Sequence, residues 1–483
     1  MDIEWNWAQS DKFLDEQLPA DTLDREKYAT YLYKICSARG EKSSLVVNIN
    51  AEWGAGKSYF TKRLANSISA HHPTVYIDAW KDDFSEDPLL TVFSSIKDQL
   101  SGQSDDFTRK INKTVEKIGP LLKSATPVII NGLVKKLTGI EDIAELTKDL
   151  STKLLDLHTE KASSISAVKQ GISTWVNHIE HKDLINKNLP LFVIIDELDR
   201  CRPDFAINLL EITKHIFNIP GVVFIIATDT EQLQHSIKVV YGNEFSASHY
   251  LSRFFDRRFL LPTPIMRDFL KTISADSVVE EFDKLKIHMS PQPPNFDIFI
   301  DNCANVFESL RMNLRDSIKL YEKLIDTLIT TQKNFDPIFL LLLSIINNKN
   351  NDIYSLLKQK KTEKATLTKM DSSLTLCFDL SRSTTRVNVL MNNGARLVNE
   401  LRDEMITVNI SDYIFTAQSV IEIKSPVTKN GSHYPEEWID GGLHLNNTLN
   451  NFLKIGWAST KTHDLSLNLN QYYELIELST TFE

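Results

Sequence analysis

Val46-Val47-Asn48-Ile49-Asn50-Ala51-Glu52-Trp53-Gly54-Ala55-Gly56-Lys57-Ser58 is an apolar run that feeds a glycine turn ending in Gly-Lys-Ser. It reads as a P-loop. Leu45 to Ile49 suits a buried strand, and Phe60, Leu64 and Ile68 recur at helical spacing, so the turn sits between the two elements its chemistry requires. In such a turn, backbone N–H groups and a helix N-terminus converge on phosphate oxygens, and glycines let the backbone approach without a Cβ. The expected nucleotide-binding set is therefore Trp53, Gly54, Ala55, Gly56, Lys57, Ser58 and Tyr59. Lys57 would reach the β- and γ-phosphates of ATP, and Ser58 would place its hydroxyl on Mg²⁺. One residue departs from the usual pattern: Ala51 stands where the first glycine is expected, and alanine tolerates fewer backbone conformations there.

Leu191-Phe192-Val193-Ile194-Ile195-Asp196-Glu197-Leu198-Asp199-Arg200-Cys201 is a second apolar run, and it delivers two carboxylates at its end, as a Walker B element does. Asp196 is the expected metal ligand beside Ser58. Glu197 is the expected catalytic acid, orienting and deprotonating the attacking water. A third run, Val222 to Ala227, ends in Thr228 and Asp229, which suit contact with the γ-phosphate because open parallel sheets bind ligands at their carboxyl edge; simple turn chemistry explains them equally well. Arg253 and Arg257 lie in a stretch that leads to Leu261-Pro262, and are candidates for an arginine finger reaching a neighbouring subunit's nucleotide. Pairing with surface acids is the competing explanation.

With 483 residues the chain is long enough for two or three domains, and 42% hydrophobic with 24% charged residues is the composition of a folded protein. A net charge of -10 argues against a broad nucleic-acid surface. The four cysteines, at 36, 201, 303 and 377, form no CxxC pair, so neither a disulfide framework nor a zinc site is expected and a cytoplasmic location fits. No secretory signal opens the sequence, and no stretch has the length and purity of a membrane span; the apolar segment from Ile118 to Val134 is interrupted by Lys123, Asn131 and prolines.

Thr74 to Trp80 reads as a second buried strand and Asp87-Pro88 opens a helix that runs to Leu100, a βαβα pattern that implies an α/β fold: a parallel sheet flanked by helices. Far more chain separates Lys57 from Asp196 than one or two βα units need. Spacings of three and four residues fill it, so 101–187 reads as a helical insertion. The expected organisation is an acidic arm at 1–26, a nucleotide-binding core at 27–265 carrying that insertion, a helical lid at 266–330, and a mostly helical accessory region at 331–483. Two weaker patterns lie outside the core. Asp412 with Glu422-Ile423-Lys424 has a nuclease-like spacing that an exposed edge strand explains better, and His178 and His181 lack the i, i+4 spacing of a helical zinc pair.

Taken in order, Trp53 to Ser58, the Ile77-Asp78-Ala79-Trp80 segment, Asp196 to Cys201 and Tyr250-Leu251-Ser252-Arg253 resemble the KAP family of P-loop NTPases over roughly residues 20–330. The resemblance implies ATP hydrolysis with Mg²⁺, with Lys57 and Ser58 as the phosphate and metal pair and Asp196 and Glu197 as the metal and catalytic acids. Leu310 to Lys319 resembles the helical lid of that family, where Arg315 is a candidate second sensor; a helix-surface arginine is the plainer explanation. The function expected is an ATPase switch that regulates a protein effector, in a homo-oligomer, with a role in anti-phage defence. A nucleotide-dependent scaffold without hydrolysis is the alternative, and nucleic-acid processing by the carboxyl region a lesser one.

Overall fold

The three apolar runs at 45–50, 191–196 and 222–228 become neighbours in one sheet of the computed structural model of this chain. The structure describes residues 3–84, 88–100, 169–177, 187–215, 218–331, 333–359, 373–378, 404–422 and 467–480, with the single positions 109, 361 and 367. Two units divide it, Met1–Thr263 and Pro264–Glu483.

In the first unit, β1 (Asp11–Phe13) and β2 (Glu16–Leu18) form a small hairpin, followed by α1 (Glu26–Gly40), β3 (Leu45–Asn50), α2 (Lys57–Ser69), β4 (Thr74–Asp78), α3 (Ala79–Asp82) and α4 (Pro88–Leu100). The chain returns as β5 (Leu191–Asp196), α5 (Pro203–His215), β6 (Val222–Thr228), α6 (Thr230–Tyr241), α7 (Ala247–Leu251) and β7 (Arg257–Leu260). The sheet order is β4-β5-β6-β3-β7, with every pairing parallel. Strands β5 and β6 are buried along their whole length. Both faces are covered, which is why their sequences are unbroken apolar runs rather than alternating ones. Because all five strands run the same way, Asn50, Asp78, Asp196, Thr228 and Leu260 end on one edge, with Asp78 level with Asp196 and Asn50 level with Thr228.

The acidic arm lies along α2. Trp7 is fully buried, its indole N–H donates to Ser67 Oγ at 2.9 Å, and Arg63 donates to the carbonyls of Asn6 and Gln9 at 3.1 and 3.0 Å. Strand β4 ends at Asp78. Trp80, read from the sequence as the end of that strand, lies instead in the short helix α3 and is 56% exposed, because the Asp78 carboxylate caps Lys81 N at 3.0 Å and turns the chain. Within 101–187, residues 169–177 are described; they are helical, and Trp175 packs on Phe93 with ring centroids 5.0 Å apart. Apart from 109 and 187, the other positions of that stretch, His178 and His181 among them, lie outside the described residues.

The second unit contains α8 (Met266–Ile273), α9 (Asp276–Leu285), α10 (Phe296–Ser309), α11 (Leu314–Thr330), α12 (Pro337–Lys349), α13 (Asn351–Lys358), β8 (Ser373–Phe378), β9 (Glu404–Asn409), α14 (Ile410–Glu422) and α15 (Leu469–Thr480). Strands β8 and β9 pair antiparallel, and α10 closes the free edge of β8 with side chains. Asn302 exchanges two bonds with the Cys377 backbone, both 2.8 Å, while Asn305 and Ser309 donate to the carbonyls of Thr375 and Ser373. The i, i+3, i+7 spacing puts these three residues on one helix face, where they satisfy a strand edge that would otherwise offer itself to another chain. Glu422 closes the helix α14 and Asp412 sits in its first turn, so the edge strand expected around Glu422 is corrected to a helix. The apolar periodicity of Ile410, Tyr413, Ile414, Ala417 and Ile421, all buried, decides that outcome. Among the described residues no helix is long and apolar enough to cross a membrane.

Asp336 holds this unit's helices together. Its carboxylate caps α12 through Ile338 N and Phe339 N at 2.9 and 3.0 Å and accepts from the Tyr413 hydroxyl at 2.8 Å, while its own N–H donates to Tyr472 OH at 2.6 Å. Burial pushes its pKa up to about 7, against the pull of those donors. A carboxyl group whose pKa rises on folding favours the folded state fully below its ordinary value, and that contribution is lost as pH climbs through the folded value. In thermal melts, wild type should therefore lose stability relative to Asp336→Asn as pH rises from about 4 to about 7, with no further change above that. A pH-independent difference between the two would contradict this account.

Candidate functional site

The P-loop residues cross from β3 to α2 through two left-handed glycines, Gly54 at φ 86° and Gly56 at φ 76°. Gly56 opens α2, whose N-terminus carries no side-chain cap, so its first N–H groups face the turn as an anion site would have them. A Cβ on Gly56 would stand 2.8 Å from Arg25 Nη1. That arginine is buried and donates to the carbonyls of Ala55 at 2.6 Å and Gly56 at 3.2 Å, and its own N–H is held by Asp21 at 2.6 Å. Ala51 has no left-handed φ, so this position makes no demand for glycine. Its N–H instead continues the sheet by donating to Thr228 O at 3.3 Å.

The Lys57 ammonium donates to the loop carbonyls of Ala51 at 2.7 Å and Glu52 at 3.1 Å. Burial lowers its pKa, and the fields of Asp199, Asp229, Asp196 and Glu197 oppose that loss. Ser58 Oγ donates to Glu197 Oε1 at 2.8 Å, joining the end of the P-loop to the end of β5. Asp196 is fully buried. Its Oδ2 accepts from Tyr76 OH at 2.8 Å and lies 3.1 Å from Thr61 Oγ1, and its Oδ1 accepts from Glu197 N at 2.9 Å. Desolvation raises the pKa of Asp196 and, first among its causes, of Glu197 too. Asp199 accepts from the Trp53 indole through Oδ2, and its buried Oδ1 has no hydrogen-bond partner. Four carboxylates thus act on Lys57, Arg200 pairs with Glu197, and one buried carboxylate oxygen is unsatisfied. Among the described residues no three acidic, histidine or cysteine side chains form a metal site by themselves, so a divalent cation here would complete its shell with the Ser58 hydroxyl and phosphate oxygens.

Of the residues singled out from sequence, Trp53 to Ser58, Asp196 and Glu197 come together, and Thr228 and Asp229 stand at the same sheet edge. Thr228 Oγ1 accepts from Asn48 Nδ2 at 2.8 Å, and Asp229 Oδ1 caps α6 through Glu231 N and Gln232 N. The Tyr59 side chain turns away, its hydroxyl donating to Pro19 O at 3.0 Å in the arm. Arg253 and Arg257 are exposed, and Arg257 pairs in register with Val47, three residues before the carboxyl end of β3, so neither joins this cluster within the chain. Arg315 is exposed in the first turn of α11, in the other unit.

Sequence reasoning missed Arg25, Thr61, Tyr76, Asp199 and Arg200 as members of the site. Thr61 and Arg200 were within reach, one turn along the helix from Lys57 and three residues after Glu197. Tyr76 and Arg25 reach the site only through strand pairing and the return of the arm, which no local pattern encodes.

The sequence profile of the KAP family P-loop domain matches residues 25–348. The phage T7 exclusion protein of Escherichia coli K12 is 22% identical over 282 residues, covering 54% of this chain and 36% of that protein. The chain therefore spans about a third of that relative's length. Among solved structures, the Aeropyrum pernix ORC2 protein in its ADPNP and ADP complexes aligns over 73% of this chain and 82% of its own, at 13% identity and a TM-score of 0.29. The Walker-type ATPase of Pyrococcus abyssi aligns over 72% of this chain and 74% of its own, at 13% identity and a TM-score of 0.26.

The glycine geometry leads to a paired expectation for ATP binding. Gly56→Ala should weaken it at least about tenfold, since the new Cβ is strained at this φ and meets Arg25, whereas Ala51→Gly should change it less than about twofold. Titration of both variants with a fluorescent ATP analogue measures this.

Proposed function

The chain belongs to the KAP family of P-loop NTPases, and on that premise we propose that it is an ATP-hydrolysing switch that governs a protein effector. The observation that carries the reading is the single hydrogen-bonded line from Ser58 through Glu197 to Asp196, lying beside Lys57 at the uncapped N-terminus of α2. On binding ATP, Lys57 would exchange the carbonyls of Ala51 and Glu52 for the β- and γ-phosphate oxygens, which recovers for the ammonium the solvation that burial removed. Ser58 and Asp196 would hold Mg²⁺; when bound, that ion neutralises charge on the phosphates. Tyr76 and Thr61 fix the orientation of Asp196 from behind. Glu197 would take the proton from the attacking water, helped by the desolvation that raises its pKa. Thr228 and Asp229 would register the γ-phosphate at the edge of β6.

Arg253 and Arg257, exposed and apart from the chain's own loop, suit a role in trans, and we assign them to a homo-oligomer in which they approach a neighbouring nucleotide. The insertion at 101–187, the lid at 266–330 and the accessory region at 331–483 are the parts through which nucleotide state would reach the effector. A part in excluding phage is the role for which the Escherichia coli relative is named, and a cytoplasmic setting suits the four free cysteines. One observation favours a second reading, a scaffold that retains ATP without turnover: both carboxylate oxygens of Glu197 are already engaged, by Ser58 and by Arg200.

Phosphate release separates the two. Wild type should hydrolyse ATP in the presence of Mg²⁺; Lys57→Ala should lose binding and turnover together, and Glu197→Gln should lose turnover by more than about a hundredfold while keeping ATP bound. Wild type that retains ATP and releases no phosphate would establish the scaffold.

A further inference from the structure

Glu197 is the residue on which hydrolysis would turn, and its backbone is in the left-handed region, at φ 60° and ψ 24°. For a non-glycine residue that conformation persists only when the surroundings hold it. Three contacts do so: its N–H donates to Asp196 Oδ1, Ser58 holds Oε1, and Arg200 Nε holds Oε2 at 2.5 Å. Arg200 is itself fixed. Its N–H donates to Glu197 O at 3.2 Å to close the single 3-10 turn Leu198–Arg200, and its guanidinium lies over the Trp80 ring, 5.4 Å from the centroid. A guanidinium over a ring face gains a cation–π attraction that adds to the ion pair and restrains it further. This also explains the exposed Trp80: α3 sets the indole outside the sheet, where it serves as the platform for Arg200.

We propose that Arg200 is the positioning residue for Glu197, and that Trp80 is its support. The inference rests on the hydrolytic reading above. Ser58 uses only its O–H on Glu197 Oε1, so its lone pairs stay available to a metal and a second lone pair of Oε1 stays open. The Arg200 contact occupies Oε2, keeps the carboxylate from swinging free, and leaves Oε1 as the oxygen presented to the water. A lysine would supply the charge without the rigid planar guanidinium, and so would position the carboxylate less well.

The test uses the full chain with Arg200→Ala, Arg200→Lys, Trp80→Leu, Glu197→Gln and the double variant Arg200→Ala/Glu197→Gln. Arg200→Ala should lower kcat about tenfold to a hundredfold with KM within about twofold, and Arg200→Lys should recover part of the loss. Trp80→Leu should fall between wild type and Arg200→Ala. Since Arg200 acts through Glu197, the double variant should be no slower than Glu197→Gln alone. A second readout needs no turnover: the Trp80 emission of the nucleotide-free protein, obtained by difference from Trp80→Phe, should shift in the same direction in Arg200→Ala and Glu197→Gln, because the first removes the guanidinium from the ring and the second removes the carboxylate charge that holds it there. The proposal is overturned if kcat of Arg200→Ala stays within about twofold of wild type or rises, if the losses in the double variant multiply, or if the emission of Trp80 does not move. Where Arg200→Ala does not fold, Arg200→Lys and Trp80→Leu carry the same comparison, and full activity in both overturns it. A wild type without turnover overturns the hydrolytic reading and this role with it, whereas normal wild-type turnover with an unaffected Arg200→Ala overturns the role of Arg200 alone.

Discussion

The ammonium of Lys57 is placed where burial works against its charge, and the site exists because carboxylates from three separate strand ends or turns sustain it. Asp196 and Glu197 arrive on β5, Asp199 on the turn that follows, and Asp229 at the end of β6. An unpaired charge in such a place would cost several kcal/mol. The surplus of acid over base around this lysine is the electrostatic ground for the proposal that a cation enters together with the phosphates.

That convergence depends on the sheet being parallel throughout. In a parallel sheet every strand delivers its carboxyl end to the same edge, so residues far apart in sequence meet without any contact between the loops that join them. Asp196 lies a whole strand away from the P-loop, with β6 between β5 and β3, yet Ser58 reaches Glu197 because the turn after β3 and the turn after β5 rise from the same edge. The arm adds a second constraint from outside the sheet. Arg25 takes the carbonyls that the left-handed glycines leave pointing outward, so the loop geometry is shared between the glycines and the residue that receives them.

The second unit follows a different logic, one of polar residues buried to organise helices. Asp336, Tyr413 and Tyr472 tie α12, α14 and α15 at a point with no access to solvent, and Asn302, Asn305 and Ser309 of α10 stand in for a neighbouring strand. Fully bonded networks of this kind select one packing among many apolar ones. They leave little trace in a sequence read alone, since asparagines and serines on a helix look like solvated surface until the strand beside them is known.

The sequence by itself determined the central sheet and named residues that the structure brings together at its edge. Unbroken apolar runs can be satisfied only by strands covered on both faces, and a glycine turn closed by Lys57 and Ser58 has few uses other than holding phosphate. Local pattern also carried Asp196 and Glu197, because the residues at a strand end share its edge. Tertiary structure decided the rest. It showed that Ala51 sits in a conformation alanine adopts freely, that Trp80 leaves its strand, that Tyr59 faces the arm, and that Glu422 ends a helix. It also joined Arg25, Tyr76 and the Arg200–Trp80 pair to the site. The reason is physical: periodicity and motif spacing record what each segment does with its own neighbours, whereas backbone dihedrals, strand order and the return of a distant arm are set by which faces must be buried together.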